Sequence, residues 1–364
     1  MRAAVFYGAG DLRIETRRDP SPQPGEVVVK VLACGVCGTD AHEYAAGPVM
    51  YPVVQRHGVT GHQGPLVPGH EFAGTVVATG SGVEDRRVGD LVAGAAPLLC
   101  GRCRWCLSGR SNLCEGYATV GLHRDGALAQ YCALPAAGCL PVRDGGLSAD
   151  ALALAQPTAI AVHARARGRL VAGETALVIG AGGVGAFLVL ALASSGTPVW
   201  AVDLDEERLA VARALGATGT LVAPRPEELP EALGDQGFVP DVIFEASGTA
   251  PGLQSALSVS RRATRLVLVG LQGRPATFDA RALALGEVEV IGTNAFVRDV
   301  DLPEAVRLLG RDPERLPALA PAALPLSETV TGALAPMARG SAHQVKTLID
   351  PWAEHRRPTR MRAG

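Results

Sequence analysis

Lysine is nearly missing from this 364-residue chain: of its 34 basic residues, all but Lys30 and Lys346 are arginine. Alongside 44 glycines and 26 prolines, this reads as a compositional bias, and it carries no functional conclusion. An excess of either charge is lacking too. The formal net charge of −2 sets up no broad field for nucleic acid or an acidic membrane surface, so small-molecule chemistry is the default. From Met1 to Gly8 there is one arginine and a short apolar run, which Asp11 and Arg13 soon break; that is too little for a secretory leader. Between Thr175 and Val202 no residue is charged, a run that a hydropathy window flags as a membrane span. Gly180, Gly182, Gly183, Gly185, Gly196 and Pro198 argue against a span, because they divide the run into strand, turn, helix and strand. A buried βαβ unit is apolar on all sides for the same reason a membrane helix is. The expectation is a cytoplasmic protein with no membrane or nucleic-acid partner. Its eight cysteines are then reduced thiols or metal ligands rather than disulfides.

What is present is chemistry at specific spacings. The length suits two domains of ordinary size, and 48% hydrophobic with 19% charged residues excludes a disordered or fibrous chain. Cys37-Gly38-Thr39-Asp40-Ala41-His42 and, further on, Gly69-His70-Glu71 offer a thiolate, an imidazole and a carboxylate. These can converge on one divalent cation, and three protein ligands leave a fourth position open for substrate, as in a catalytic zinc site. Taken singly, Cys37 reads as a small buried hydrophobe and His70 as a hydrogen-bonded core histidine. Their company changes that reading. Cys100-x2-Cys103-x2-Cys106-x7-Cys114 places four thiols in fifteen residues, enough to wrap a tetrahedral zinc at about 2.3 Å per bond with no position left for chemistry. This second zinc is therefore structural and pins a lobe, 96–115, that has no core of its own. Cys34, Cys132 and Cys139 read as packing, and His57 and His62 as solvated or structural.

In chain order, short β segments at 2–7 and 26–32, separated by Pro20, Pro22, Pro24 and Gly25, suggest a barrel-like β domain. A helix is expected to begin near Asp40 with Thr39 or Asp40 as its cap. A long irregular loop follows over 45–68, with strands at 72–79 and 90–95 beyond it. Helical character runs over 149–167. Then Thr175-Ala176-Leu177-Val178-Ile179 leads into Gly180-Ala181-Gly182-Gly183-Val184-Gly185, which opens an apolar helix, and a second strand ends on Asp203, 23 residues after Gly180. That is the dinucleotide-binding arrangement in its structural context. Gly180 permits the turn, Gly182 lets a pyrophosphate approach, Gly185 lets helix pack on strand, and the amides at Gly183 and Val184 open the helix toward the phosphates. Asp203 would accept from the adenosine ribose hydroxyls and repel a 2′-phosphate, favouring NAD over NADP. Further helices at 206–215, 251–260 and 299–310 and strands near 220–222 and at 241–246, 265–269, 288–291 and 344–349 complete an alternating α/β pattern with a doubly wound parallel sheet. The tail from Pro351, rich in arginine, reads as a solvated end.

With these residues in hand, the chain resembles the zinc-containing medium-chain alcohol dehydrogenases over nearly its whole length, and most closely the butanediol and polyol (sorbitol-type) dehydrogenases. The pieces that carry the resemblance are Cys-Gly-Val-Cys-Gly-Thr-Asp-Ala-His-Glu from Cys34, Val-Pro-Gly-His-Glu-Phe-Ala-Gly from Val67, the four-thiol lobe, Val-Ile-Gly-Ala-Gly-Gly-Val-Gly from Val178, and a long insertion from Gly47 to Gly64. The resemblance implies a GroES-like catalytic domain over 1–155, a Rossmann NAD-binding domain over 156–296, a return to the catalytic domain over 297–364, and an active site in the cleft. It implies Cys37 and His70 as zinc ligands with Glu71 as a direct or nearby one, and Thr39 and His42 as a proton relay. Asp40 steadies the zinc-bound histidine, and Val269 and Leu271 flank the nicotinamide. It also implies a homodimer or homotetramer. One position departs: relatives carry Glu-Pro where this chain has Gln156-Pro157. Gln156 keeps a carbonyl oxygen, so it is open as a zinc ligand or as a residue beside the ligands, but it loses the charge; zinc with Cys37 and Glu71 then sums to neutral, and the metal is expected to be a stronger Lewis acid, less firmly held.

The implied reaction removes hydride from a secondary alcohol to NAD, with loss of the hydroxyl proton. Zinc lowers the pKa of bound water from about 15.7 to about 7, on the order of 12 kcal/mol of help. A positioned base contributes about 3 to 6 kcal/mol, so the metal dominates and the relay assists. The substrate is expected to be a diol, polyol or related hydroxy compound, or its ketone. The alternatives are a biosynthetic amino alcohol, cyclitol or sugar derivative, and a non-catalytic dehydrogenase-like binding protein.

Overall fold

The computed structural model describes residues 1–143, 146–341 and 344–363. The chain divides into two compact units, Met1–Pro157 with Val297–Gly364, and Thr158–Phe296.

The first unit is built on the strand Glu26–Val36, whose valines and small residues are buried along most of its length. Two register shifts against its antiparallel neighbour Glu71–Thr79 bend it, between Val28 and Val29 and between Val31 and Ala33. That bend lets one sheet wrap a core of Val27, Val29, Val31, Phe72, Val76, Leu128 and Leu134. The sheet has eight strands. They run in the order Arg357–Pro358, Ala322–Pro325, Thr347–Asp350, Glu26–Val36, Glu71–Thr79, Leu91–Ala95 and Cys139–Pro141, and Tyr131–Pro135 also pairs with Glu26–Val36. Cys34, Cys132 and Cys139 lie in this core as small apolar groups, and burial pushes the Cys139 thiol up to about 12. The last third of the chain thus closes the N-terminal sheet: Ile349 pairs with Cys34 and Thr347 with Val36.

The tail is not a solvated end. Arg357–Pro358 pairs with Ala322–Ala323, and Arg362 bridges to Leu147. The Arg357 guanidinium donates two hydrogen bonds to Asp150, at 2.7 and 2.8 Å, and one to Asp350 at 2.8 Å. Counting arginines alone missed this, because Asp150, which takes two of these three bonds, is 207 residues away in sequence. The late strand begins at Thr347 rather than at Gln344, and the helical stretch at 149–167 is two helices, Ala149–Leu152 and Ala155–Gly168.

The second unit is a six-stranded sheet in the order Gly219–Val222, Val199–Asp203, Ala176–Ile179, Val242–Glu245, Arg265–Leu268 and Glu289–Gly292, every pair parallel. By sequence this is 3-2-1-4-5-6, the doubly wound order. Its topological switch falls between Ala176–Ile179 and Val242–Glu245, where such sheets open a ligand crevice at the carboxyl ends of the strands. The uncharged run from Thr175 to Val202 is the unit's first βαβ: the helix Gly183–Ala193 is buried from Gly185 to Leu192. Among the described residues no helix is long and apolar enough to cross a membrane. Two short helices, Leu229–Asp235 and Ala280–Gly286, were not expected from the sequence; seven residues give too few turns for a clear apolar period.

Candidate metal centre and nucleotide loop

Cys37 sits where the strand Glu26–Val36 ends and the helix Gly38–Ala46 begins. It is the N-cap residue, not Thr39 or Asp40. Asp40 is the third residue of the helix and reaches back, accepting the Cys37 N–H at 2.9 Å through Oδ2. The sequence reading placed the cap too late because a cysteine is an uncommon cap. His70 precedes the adjacent strand, and Glu71 opens it directly opposite Gly35. Two neighbouring strand ends therefore bring together one atom each from Cys37, His70 and Glu71, all within 4.8 Å of one another.

His70 and Glu71 are 4% and 1% exposed, yet His70 Nδ1 and Glu71 Oε2 make no hydrogen bond. Sulfur, nitrogen and oxygen donors gathered this closely are costly to leave without a common partner; Glu71 Oε2 has the Lys346 ammonium 2.8 Å away, and His70 Nδ1 faces Asp40 Oδ1 at 3.6 Å. A borderline-soft divalent cation such as zinc satisfies all three donors, so the residues fit the metal that the sequence suggested.

The surroundings shape the donors. Asp40, 2% exposed, accepts the Tyr51 hydroxyl at 2.8 Å, and its Oδ1 lies 3.6 Å from His70 Nδ1. Burial by itself pushes the His70 pKa down, but Asp40 and Cys37 outweigh it and bring the metal-free imidazole up to about 9. Burial likewise pushes the Asp40 carboxyl up, against the pull of His70 and the Cys37 N–H. Thr39 is half-buried, with Oγ1 accepting from the Cys37 thiol at 3.7 Å, and His42 is exposed on the same helix. Gln156, near the start of the helix Ala155–Gly168, is 8% exposed, and its Oε1 has no partner.

Lys346 is the residue that the sequence reading missed. Its ammonium donates to Glu71 Oε1 at 2.9 Å and to the Val36 carbonyl at 3.2 Å, and it lies 2.8 Å from Oε2 but out of line for a hydrogen bond. Counting zinc, Cys37 and Glu71 as neutral therefore leaves out a buried cation, and the set with Lys346 is positive by one charge. Its scarcity was the available signal, since only two lysines occur in the chain.

The four sulfurs of Cys100, Cys103, Cys106 and Cys114 also lie within 4.8 Å of one another. The Cys103 N–H donates to Cys100 Sγ and the Cys100 N–H to Cys114 Sγ, both at 3.3 Å. Backbone N–H groups at Cys106 and Glu115 bring the Cys103 thiol down to about 6, whereas burial and its neighbouring sulfurs push Cys106 up to about 12. Sulfurs this close cannot all ionise without a cation, and a closed tetrahedral zinc supplies one. His57 is structural: its Nδ1 accepts the Val59 and Thr60 N–H groups, and its ring lies 4.5 Å from that of His123. His62 Nε2 faces the Gly64 carbonyl at 3.3 Å.

In the second unit, Gly180 turns at φ +92° between the strand Ala176–Ile179 and the helix Gly183–Ala193, and a Cβ on Gly185 would overlap the Gly180 carbonyl oxygen. Gly182 is the helix cap, ahead of Gly183 and Val184. Asp203 ends its strand, 7% exposed, with Oδ2 accepting the Ala181 N–H at 2.7 Å and Oδ1 the Asp205 N–H at 3.1 Å. It braces the glycine loop. Arg208, also unforeseen, lies 3.7 Å from Asp203 and beside Gly182. The strand expected to reach Val269 ends at Leu268; the Val269 and Gly270 N–H groups both donate to the Glu245 carbonyl at 2.8 Å, and Leu271 is 90% exposed.

Comparison with known proteins agrees with both units. Residues 23–144 match the alcohol dehydrogenase GroES-like domain, and residues 183–311 match the zinc-binding dehydrogenase family. The chain is 34% identical to sorbitol dehydrogenase of Bacillus subtilis over 80% of its own length and 81% of that protein's. It is 30% identical to (R,R)-butanediol dehydrogenase of Neisseria gonorrhoeae over 96% and 99%. Its fold matches the crystal structure of 2R,3R-butanediol dehydrogenase from Bacillus subtilis with a TM-score of 0.85 at 29% identity, covering 96% of this chain and 99% of that one. The chain therefore belongs to the zinc-binding alcohol dehydrogenases and is an oxidoreductase of CH–OH groups.

Proposed function

We propose that the protein oxidises a secondary alcohol of a diol or polyol, or reduces the matching ketone, with NAD. Cys37, His70 and Glu71 would hold the catalytic zinc, and Cys100, Cys103, Cys106 and Cys114 the structural one. The observation that carries this reading is the cluster of Cys37, His70 and Glu71, whose sulfur, nitrogen and oxygen donor atoms lie within 4.8 Å of one another. The names of the relatives, sorbitol and butanediol dehydrogenases, support a hydroxyl beside the reacting carbon.

When bound, the metal supplies Lewis acidity at an alcohol oxygen and the nicotinamide supplies a hydride acceptor. The chain does the rest. Cys37 and His70 fix the metal from two adjacent strand ends, and Lys346 holds one Glu71 oxygen, so that Glu71 either ligates with the other or stands as a near counter-charge. Thr39, half-buried on the helix that Cys37 caps, would relay the hydroxyl proton, accepting it as its own O–H proton moves on toward His42. His42, three residues on and exposed, passes it to water. Gln156 offers a neutral carbonyl oxygen where a carboxylate would otherwise add a charge. Gly180, Gly182, Gly183, Val184 and Gly185 cradle the pyrophosphate, Asp203 takes the ribose hydroxyls, and Val269 and Leu271 flank the nicotinamide. We place the protein in the cytoplasm as a homodimer or homotetramer.

The test combines metal content with an NADH absorbance screen over diols, polyols, amino alcohols and cyclitols. Two zincs per chain, one for each donor group, and turnover of a diol or polyol are expected. Cys37→Ser and His70→Ala should drop one zinc and abolish turnover while nucleotide binding persists. Full activity in a zinc-free sample overturns the reading.

A further inference from the structure

We propose that Tyr51, carried by the irregular segment from Gly47 to Gly64, is a positioning residue for the metal centre: its hydroxyl holds the Asp40 carboxylate, and through it the Cys37 backbone and the His70 imidazole. The inference rests on the reading of Cys37, His70 and Glu71 as metal ligands, and it gives the segment a task. Long loops of this kind are commonly covers over a substrate. Here one side chain turns the other way, into the support of the site.

Tyr51 is 3% exposed, although Val49, Met50 and Val54 around it are exposed at 65%, 43% and 70%. Its O–H donates to Asp40 Oδ1 at 2.8 Å, the oxygen that also lies 3.6 Å from His70 Nδ1, while Oδ2 accepts the Cys37 N–H at 2.9 Å. One carboxylate thus ties together the start of a helix, a residue at the head of the neighbouring strand, and a loop. A buried carboxylate needs its donors, because each one lost leaves charge in a medium that cannot solvate it.

The local sequence explains how Tyr51 arrives there. Glu43 stands three residues after Asp40 on the helix Gly38–Ala46, so the two acids share a face. Glu43 is 1% exposed and accepts the Val49 N–H at 2.9 Å and the Met50 N–H at 2.6 Å. Gly47 makes the reversal possible: its N–H donates to the Glu43 carbonyl at 2.8 Å, and a Cβ there would sit 2.5 Å from both that carbonyl oxygen and Glu43 Oε2. Phe6 then meets the Tyr51 ring edge-on, with centroids 5.0 Å apart, in a cluster with Leu66 and Leu122. Two acids on one helix face therefore fasten the loop, Glu43 by its backbone and Asp40 by its tyrosine.

Outer partners of a metal-bound histidine are typically worth about 10- to 100-fold in metal affinity. The experiment follows zinc release from the loaded protein to a chromophoric chelator, and the absorption bands of the cobalt-substituted centre, in the wild type, Tyr51→Phe, Phe6→Leu and Glu43→Gln. Tyr51→Phe loses only the hydroxyl. It should release the Cys37/His70 zinc about tenfold faster, shift the cobalt bands, and leave release from the four-cysteine lobe unchanged. Phe6→Leu loosens the ring but keeps the hydroxyl, so it should lower the melting temperature with zinc release near that of the wild type. Glu43→Gln weakens the tether at Val49 and Met50 and should speed release in the same direction as Tyr51→Phe. Wild-type release rates and cobalt bands in Tyr51→Phe overturn the inference, as does equal acceleration by Phe6→Leu, which would make the effect one of packing. A wild-type chain that binds zinc only in the cysteine lobe removes the metal reading and this inference together, so the two failures are told apart.

Discussion

Lys346 and Glu71, 275 residues apart in sequence, form an ion pair whose side chains are only 6% and 2% exposed, with the ammonium 2.9 Å from Oε1. The pair joins the last third of the chain to the candidate metal ligands at the head of the strand Glu71–Thr79. It also sets a competition, because the carboxylate that steadies the ammonium is a candidate ligand.

Replacing Lys346 with Met should therefore have unequal effects on two states. Without metal it leaves Glu71 buried and unpaired, at a cost of about 3 kcal/mol or more. With zinc, Glu71 is released to ligate, and part of that loss returns. Thermal unfolding with and without zinc checks this: the metal-free melting temperature should fall further than the loaded one. Equal falls would mean that Glu71 does not turn to the metal.

Asp203 and Arg208 should set the nucleotide preference between them. The Asp203 charge opposes a 2′-phosphate, while Arg208, 3.7 Å away, favours one. Asp203→Ser keeps an acceptor for the Ala181 N–H but removes the charge. The ratio of kcat/KM for NADP over NAD should rise about tenfold, equivalent to about 1.4 kcal/mol, and Arg208→Ala added to it should cancel most of the gain.

His123 makes part of the stability depend on pH. Its Nδ1 accepts the Thr119 N–H at 2.9 Å, and burial first, then His57 and His70, push its pKa down to about 4. An unfolded histidine titrates near 6.5, so the unfolded chain takes up this proton before the folded one does. The contribution is fully present above about pH 6.5 and is lost as pH falls toward about 4. For a half-buried ring it amounts to about 1–2 kcal/mol after allowance for solvent screening. The urea midpoint should drop more between about pH 7.5 and 4.5 in the wild type than in His123→Asn. A matching drop in the variant would show that other groups carry the dependence.

Arg357 fastens the C-terminal tail through Asp150 and Asp350. Arg357→Met leaves Asp150, 3% exposed, with the Arg360 N–H as a remaining donor. It should cost about 2 kcal/mol of stability and open the residues after Asp350 to limited proteolysis. Unchanged cleavage would mean that strand pairing alone holds the tail.

Much of the centre was legible in the linear chain because its motifs are local. The spacing of Cys100, Cys103, Cys106 and Cys114 lets four sulfurs meet with no help from the rest of the fold, and the step from Ile179 through Gly180, Gly182 and Gly185 to Asp203 is one βαβ unit whose turn dictates its glycines. Cys37 with His70-Glu71 was readable as a donor set, although only the pairing of two strands brings it together. What escaped is what depends on contacts between distant segments. Lys346 meets Glu71 because the strand Thr347–Asp350 pairs with Glu26–Val36, Arg357 meets Asp150 because the tail joins the same sheet, and Tyr51 meets Asp40 because Glu43 turns the loop back. The sequence by itself determined the chemistry on offer, since side-chain type and short spacing decide which groups can ligate a metal or cradle a phosphate. Only the tertiary structure decided which charge faces which, because burial makes an unpaired ion costly, and its partner is whatever the sheet register delivers.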